Sequence, residues 1–495
     1  MGRSRKSLAL GILLTAAIGS GIVALILVIV EARDVYLPPE TKYGMVFDAG
    51  SSHTSLFVYQ WPAGKENDTG IVSQALACAV EGPGISYYRE EPARAGESLR
   101  DCMQEALGLI PDHLHRGTPT FLGATAGMRL LSQQNSSQAD QLFEEISKTL
   151  RQFPVDFRGA QLLTGNEEGS FGWITINYLL ESLVKYSFAG RWMLPTAAEL
   201  VGALDLGGAS TQITFRPQRP GGDPGTQEDF RLYGDNYTVY THSYLCYGRD
   251  QALKMLQAHL VQASRSRRVD HPCYPSGFQE TLLLEGLYNS SCTRRPDRYN
   301  PRSEILLSGT GDPEACFSAV RTLFNFSSCG GREDCAFNGV YQPAVYGKFY
   351  AFSAFYYTFN FLNLTQGQSL SVTNATIWEF CKKRWDELET SYPDQKKRLP
   401  NYCPTAVYIL TLLLDGYKFT DESWSTISFR KQAADADIGW SLGYMLNLTN
   451  MIPSEKPAWS RAQNRDVWIA AVSFLVLAVS LTVAALAVQY FCRPA

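Results

Sequence analysis

Two separated segments, Asp48-Ala-Gly50-Ser51-Ser52-His53-Thr54 and Asp205-Leu-Gly207-Gly208-Ala209-Ser210-Thr211, share the pattern D-x-G-x-x-x-T. Glycine lets a backbone turn sharply and approach a ligand. Successive amides in such a turn form a nest for anionic oxygens, and Ser/Thr hydroxyls add donors. A carboxylate beside the nest can hold a hard divalent cation, directly or through its waters. One copy alone reads as a turn whose Asp caps its own backbone. Two copies in similar strand contexts point to opposed grips on a polyphosphate. Neither G-x-x-x-x-G-K-[ST] nor G-x-G-x-x-G occurs, so phosphate binding here does not use those devices.

Two further segments lie between the copies. Gly123-Ala-Thr125-Ala-Gly127-Met-Arg129 opens a helical run, whose start favours anions, although a close strand–helix packing turn explains it equally. In Leu163-Thr-Gly165-Asn-Glu167-Glu168-Gly169, paired glutamates at a helix start ordinarily serve only the dipole. A carboxylate flanked by Gly at a domain junction can instead face a cleft and accept a proton from water. Trp440 reads as core packing, since buried Trp usually fills volume.

The elements that must position these groups are strands at Tyr43–Asp48, Ser55–Trp61, Thr118–Gly123, Gly202–Asp205 and Thr211–Phe215. Helical periodicity fits Glu168–Val184, Gly347–Leu362 and Tyr402–Leu414. Alternating β and α elements suggest an α/β architecture, and the long-range echo suggests two halves facing across a cleft. Arg216–Glu228 and Arg294–Ser303 read as surface loops.

Leu8–Val30 is an uncharged apolar run reaching roughly 34 Å as a helix, enough for a hydrocarbon core of about 30 Å. It exceeds the h-region of a cleaved signal peptide. Val467–Phe491 is a second such run. Arg3, Arg5 and Lys6 precede the first span and Glu31, Arg33 and Asp34 follow it, so both termini are expected in the cytoplasm. The intervening chain then lies outside the cell or in a lumen. N-x-[ST] sequons at Asn67, Asn135, Asn236, Asn289, Asn325, Asn363, Asn374 and Asn447 all fall there. So do ten of the eleven cysteines, an even number that fits five disulfides in an oxidising compartment. Cys492 is left over, as an inert or acylated thiol.

The composition sets outer limits. At 495 residues the chain suggests two or three domains, and 45% hydrophobic residues exclude disorder. A net charge of −4 is no footprint for a nucleic-acid polymer. Without C-x-x-C or H-E-x-x-H, a zinc site is not indicated. A cytosolic sugar- or acetate-type kinase, with its duplicated phosphate hairpins, and an inactive receptor glycoprotein are the rival readings.

Asp48–Thr54, Gly123–Arg129, Leu163–Tyr178, Ala203–Thr214 and Asp437–Leu446 resemble, in order and spacing, the five apyrase conserved regions of the ectonucleoside triphosphate diphosphohydrolases. Phe349–Phe359 resembles that family's aromatic helix. The likeness covers essentially the whole ectodomain, and the terminal spans match the cell-surface members. Leu163–Tyr178 and Val345–Leu364 are most similar to the hepatic-type subtype. The resemblance implies two actin-like (ribonuclease H-like) domains with the active site in their cleft. Lobe I would be 42–165, completed by about 436–460, and lobe II would be 166–435.

It implies hydrolysis of extracellular nucleotides such as ATP, ADP, UTP and UDP, with Ca²⁺ or Mg²⁺, and so control of purinergic nucleotide levels. Asp48 and Asp205 match residues holding the metal through its water shell. Ser51, Ser52, His53, Gly207, Gly208 and Ala209 match phosphate ligands. Glu168 matches the general base, and Ser210, Gln212 and Thr125 match groups orienting water. Tyr357 is expected to stack on the base, with Arg398 on its other face and Arg249 near ribose or phosphates. The family's disulfides carry over as Cys78–Cys102, Cys246–Cys292, Cys273–Cys316, Cys329–Cys335 and Cys381–Cys403. Partners expected beyond the nucleotide are the lipid bilayer and further copies of the chain through the transmembrane helices, with no nucleic-acid polymer.

Overall fold

The structure, a computed structural model, describes residues 2–30, 33–36, 40–187, 191–195, 199–219, 221–264, 266–452, 459–462 and 465–491. Cys492, with the 492–495 tail, and Glu31 lie outside the described residues. Two compact units form: residues 1–40 with 455–495, and residues 41–454.

In the first unit, helices Gly2–Val30 and Arg465–Phe491 pack along one another. Both contain stretches long and apolar enough to cross a bilayer, Ser7–Ile29 and Arg465–Tyr490. Strand Arg33–Tyr36 pairs antiparallel with Trp459–Ala462.

The second unit is built on two mixed sheets. In the first, β1 (Thr41–Ala49), β2 (Thr54–Pro62), β3 (Ser73–Ala79), β4 (Pro119–Ala124) and β5 (Asp156–Leu162) run in the order β3-β2-β1-β4-β5. The first three are antiparallel, whereas β4 and β5 join parallel. In the second sheet, β6 (Gly202–Leu206), β7 (Ser210–Phe215), β8 (Gln227–Leu232), β9 (Asp235–Leu245), β10 (Phe349–Ser353) and β11 (Ile427–Phe429) run β8-β9-β7-β6-β10-β11. Here too a hairpin at the centre is flanked by an antiparallel strand on one side and two parallel strands on the other. The sequence echo is therefore a structural repeat: Asp48 and Asp205 are each the penultimate residue of the central strand, two residues before the turn glycine.

All five expected strands form, four of them within a residue at each end and the first begun two residues earlier, at Thr41. The central ones are buried on both faces, and their runs of Val, Phe, Leu and Ile suit that position. The expected helix over Gly347–Leu362 does not form as one element. Phe349–Ser353 is the parallel strand β10, and only Ala354–Phe361 is helical. Phe349, Ala351 and Phe352 fill the layer beside β6, where tertiary burial outweighs the helical period. The helix begun at Glu168 starts at Gly165 and ends at Leu179, because Glu181 takes a left-handed conformation (φ 56°). The helix expected over Tyr402–Leu414 runs Leu399–Thr411 and closes in a single π turn.

All five disulfides form as the resemblance implied, with Cα–Cα separations of 4.7–5.7 Å. Seven sequon asparagines are exposed; Asn447 is only partly so.

Candidate active site

Six helices complete the site: α1 (Ala126–Gln134), α2 (Gly165–Leu179), α3 (Arg249–Ser264), α4 (Ala354–Phe361), α5 (Leu399–Thr411) and α6 (Trp440–Thr449). The two hairpin turns meet. A Cβ built on Gly208 would stand 2.6 Å from Ser51 Oγ and 2.7 Å from Asp250 Oδ2, so glycine is what allows this approach. Gly127 similarly admits Ser51, whose Cα would lie 2.8 Å from an added Cβ. The second turn is seated on the start of α3, where Arg249 N bonds Gly207 O (2.8 Å) and Asp250 N bonds Gly208 O (2.8 Å). In the first turn Ser52 Oγ lies 3.0 Å from His53 Nδ1. Burial, reinforced by the Arg249 charge and opposed by Asp250, holds His53 below the usual imidazole range. That favours the uncharged ring.

The paired glutamates divide their work. Thr164 and Glu167 form a capping box: Thr164 N bonds Glu167 Oε2 (2.8 Å) and Glu167 N bonds Thr164 Oγ1 (3.2 Å). Glu168, 7% exposed, turns inward instead. Gly169 lets α2 press onto β7 and β9, since a Cβ there would meet Thr214 and Thr241 Oγ1 at 2.6 Å each.

Glu168 Oε2 accepts from Arg129 Nη2 and from Gln212 Nε2 (3.1 Å). Gln212 Nε2 also faces Ser210 Oγ at 2.7 Å and Ser243 Oγ at 2.8 Å. Arg129 reaches Ser210 Oγ (3.2 Å) and Ser243 Oγ (3.3 Å). Arg129 and Gln212 present N–H groups to both serine oxygens, so the serine protons are free to donate elsewhere. Gln212 Oε1 is buried and accepts from no donor among the described residues. Buried acceptors are nearly always satisfied, so this one is ready for a small donor such as water. Thr125 precedes α1, is buried, and its hydroxyl is not spent on a cap.

Three carboxylates gather beside this cluster. Burial pushes Glu168 up to about 8; Arg129 opposes it, and the Asp205 and Asp48 charges add to it. Asp48 rises to about 7, through burial and the Asp205 charge against the Trp440 indole. Asp205 rises to about 6 through burial, opposed by Ser353. Ser353 itself sits at φ 56°, a strained backbone position of the kind found at functional sites. Asp205 Oδ1 is buried with no donor among the described residues. Hard oxygens that raise one another's proton affinity fit a divalent cation. Asp48 and Asp205 could hold such an ion.

The expected base-side arginines act on Tyr402, while Tyr357 lies on α4. Burial pushes the Tyr402 phenol up, and the nearby Arg398 and Arg249 charges oppose it. Tyr402 stacks on Phe361 at 3.6 Å. Tyr357, 52% exposed, is one turn before Phe361 on α4 and so on the same face. Trp440 is buried as expected, and also stands beside Asp48, with Gly123 making room for it.

Arg129, Ser243 and Ser353 belong to the cluster although residue types alone did not single them out. Gln212 and Ser243 are direct cross-strand partners, a register no local pattern reveals.

The GDA1/CD39 (nucleoside phosphatase) family profile matches residues 35–461. Ectonucleoside triphosphate diphosphohydrolase 8 of Rattus norvegicus is 60% identical over 480 residues, 97% of each chain. The protein of that name from Homo sapiens is 60% identical over 491 residues, 99% of each. A solved nucleoside triphosphate hydrolase from Neospora caninum shares the fold, with TM-score 0.58 at 15% identity, covering 91% of this chain and 96% of that one.

Proposed function

This chain belongs to the GDA1/CD39 (nucleoside phosphatase) family, and from that premise we propose that it hydrolyses nucleoside tri- and diphosphates to the monophosphate. The observation that carries the reading is the meeting of two glycine hairpins beside Glu168, Gln212 and Ser210.

The turns, with Ser51, Ser52, His53, Gly207, Gly208 and Ala209, hold the phosphate chain through amides and side-chain donors. Asp48 and Asp205 would hold a Ca²⁺ or Mg²⁺ ion, which would neutralise charge on the phosphate oxygens. Gln212 Oε1 and the Glu168 carboxylate accept the two protons of one water, while Ser210 donates to it, with Thr125 at its side. That arrangement directs a lone pair at the terminal phosphorus. The new P–O bond forms as the bridging P–O bond breaks in line. One water proton passes to Glu168 and the other stays on the released phosphate, so no phosphoenzyme arises. Arg129 keeps Glu168 oriented. The nucleobase stacks on Tyr357 opposite Arg398, with Arg249 toward ribose and phosphates. Since grip is on phosphates, base tolerance is broad, and diphosphates react after a shift of register.

Lobe I is 42–165 with about 436–460, and lobe II is 166–435. The enzyme is a two-span plasma-membrane protein, its glycosylated ectodomain outside and both termini inside, lowering purinergic nucleotide levels. The test is a time course of ATP, ADP and AMP outside expressing cells, with and without EDTA. Glu168→Ala should abolish turnover while surface delivery persists; near-normal turnover by that variant removes Glu168 as the base.

A further inference from the structure

The chain carries a net charge of −4, yet its arginines are unevenly spread. Residues 265–270 (RSRRVD) and 294–304 (RRPDRYNPRSE) hold seven arginines, no lysine and three acids. Arg265 lies outside the described residues; the other six, Arg267, Arg268, Arg294, Arg295, Arg298 and Arg302, are all exposed. Among the described residues none of the six forms an ion pair.

The fold gathers these two segments at one end of a small sheet. Strands Arg268–His271 and Glu304–Gly309 pair in parallel, so both begin at the same end. Leu306 N bonds Arg267 O (2.8 Å), and Gln262 Nε2, on the last turns of α3, bonds Arg294 O (3.0 Å). The second segment is also held in shape. Its start is tied by Cys246–Cys292, Tyr299 packs edge-on against Tyr288 (5.3 Å), and Arg295 lies over the Tyr299 ring (5.6 Å). A patch preordered this way loses little entropy on binding.

We propose that this arginine face docks a sulfated polysaccharide of the cell surface. Arginine's planar fork matches sulfate and carboxylate oxygens two at a time, which lysine's point charge does not. At physiological salt the Debye length is about 8 Å, so negative charge elsewhere on the chain is screened from the patch. The polysaccharide, as opposed to a bilayer, follows from the outward-facing ectodomain of the proposed function, on which this inference rests, because anionic lipid is concentrated in the cytoplasmic leaflet. None of the six arginines belongs to the candidate active site.

The test uses the full chain in neutral detergent on immobilised heparin. Wild type should be retained at physiological salt, and R294Q/R295Q/R298Q should bind on the order of tenfold more weakly or worse. Its ATP hydrolysis should be unchanged, which reports the fold. R267Q/R268Q gives a second reading should the triple variant lose activity, and desulfated heparin should fail to compete. Co-elution of both variant sets with wild type overturns the proposal, as does equal competition by desulfated heparin or capture by phosphatidylserine vesicles but not by heparin. Heparin binding by purified protein but not by intact expressing cells would count against the outward-facing reading and leave the arginine face standing.

Discussion

Ser243→Ala removes one oxygen from the centre of the water-orienting cluster. Gln212 Nε2 has two hydrogens and three acceptors, at 2.7 Å (Ser210), 2.8 Å (Ser243) and 3.1 Å (Glu168). Deleting the Ser243 hydroxyl therefore leaves no buried amide proton without an acceptor. The loss is that of a net hydrogen bond, about 1 kcal/mol, and not of a full desolvation penalty. Arg129 Nη1 loses its 3.3 Å contact as well, a long bond worth roughly another 0.5 kcal/mol. If both were spent on holding Gln212 and Arg129 in the reactive geometry, kcat should fall about tenfold. Because the Ser243 hydroxyl bonds Gln212 and Arg129 and not the turn residues, KM should stay within about twofold. Steady-state ATP hydrolysis by purified wild type and variant, with melting temperatures to exclude unfolding, is the assay. An unchanged kcat would refute the reasoning, as would a raised KM with normal kcat, which would make Ser243 a support for substrate binding.

Glu168→Gln should flatten the pH dependence of stability in EDTA. Because the folded pKa of about 8 stands above the ordinary 4.5, the wild type's stabilising contribution is full below the ordinary value and fades as pH climbs through about 8. Asp48 and Asp205 push the same way, so the fall in melting temperature between about pH 5 and pH 8 should shrink but not vanish; identical slopes would contradict the burial argument. Gly208→Ala should lower kcat/KM by roughly a hundredfold by forcing Ser51 and Asp250 aside, while Gly286→Ala, whose added Cβ meets open space, should be silent; equal activity of the two would mean the turns need not touch.

Much of the fold could be read from the sequence because strand period, turn glycines and apolar spans are local signals. Glu168 was separable from Glu167 only by the glycine beside it, and the capping box on Thr164 explains why the neighbour was the ordinary one. What stayed hidden depended on distance along the chain. Phe349–Ser353 has the apolar content of a helix face, and only its place between β6 and β11 makes it a strand. Arg129 and Ser243 are 114 residues apart, and their shared contact to Gln212's surroundings exists only once both sheets have formed. Ser353 was invisible for another reason, since a left-handed serine has no signature of its own.

Arg129 extends from the helix after β4, in the first sheet, to Ser210 and Ser243 of the second. Any parting of the sheets wide enough to let phosphate escape must pull that guanidinium off both serines. On the proposed mechanism, product leaving by such a parting would make exit and loss of alignment a single event, with the cluster reassembled before the next round. A cleft that gapes is by construction incompetent, which guards a bound nucleotide from being attacked before it is fully enclosed.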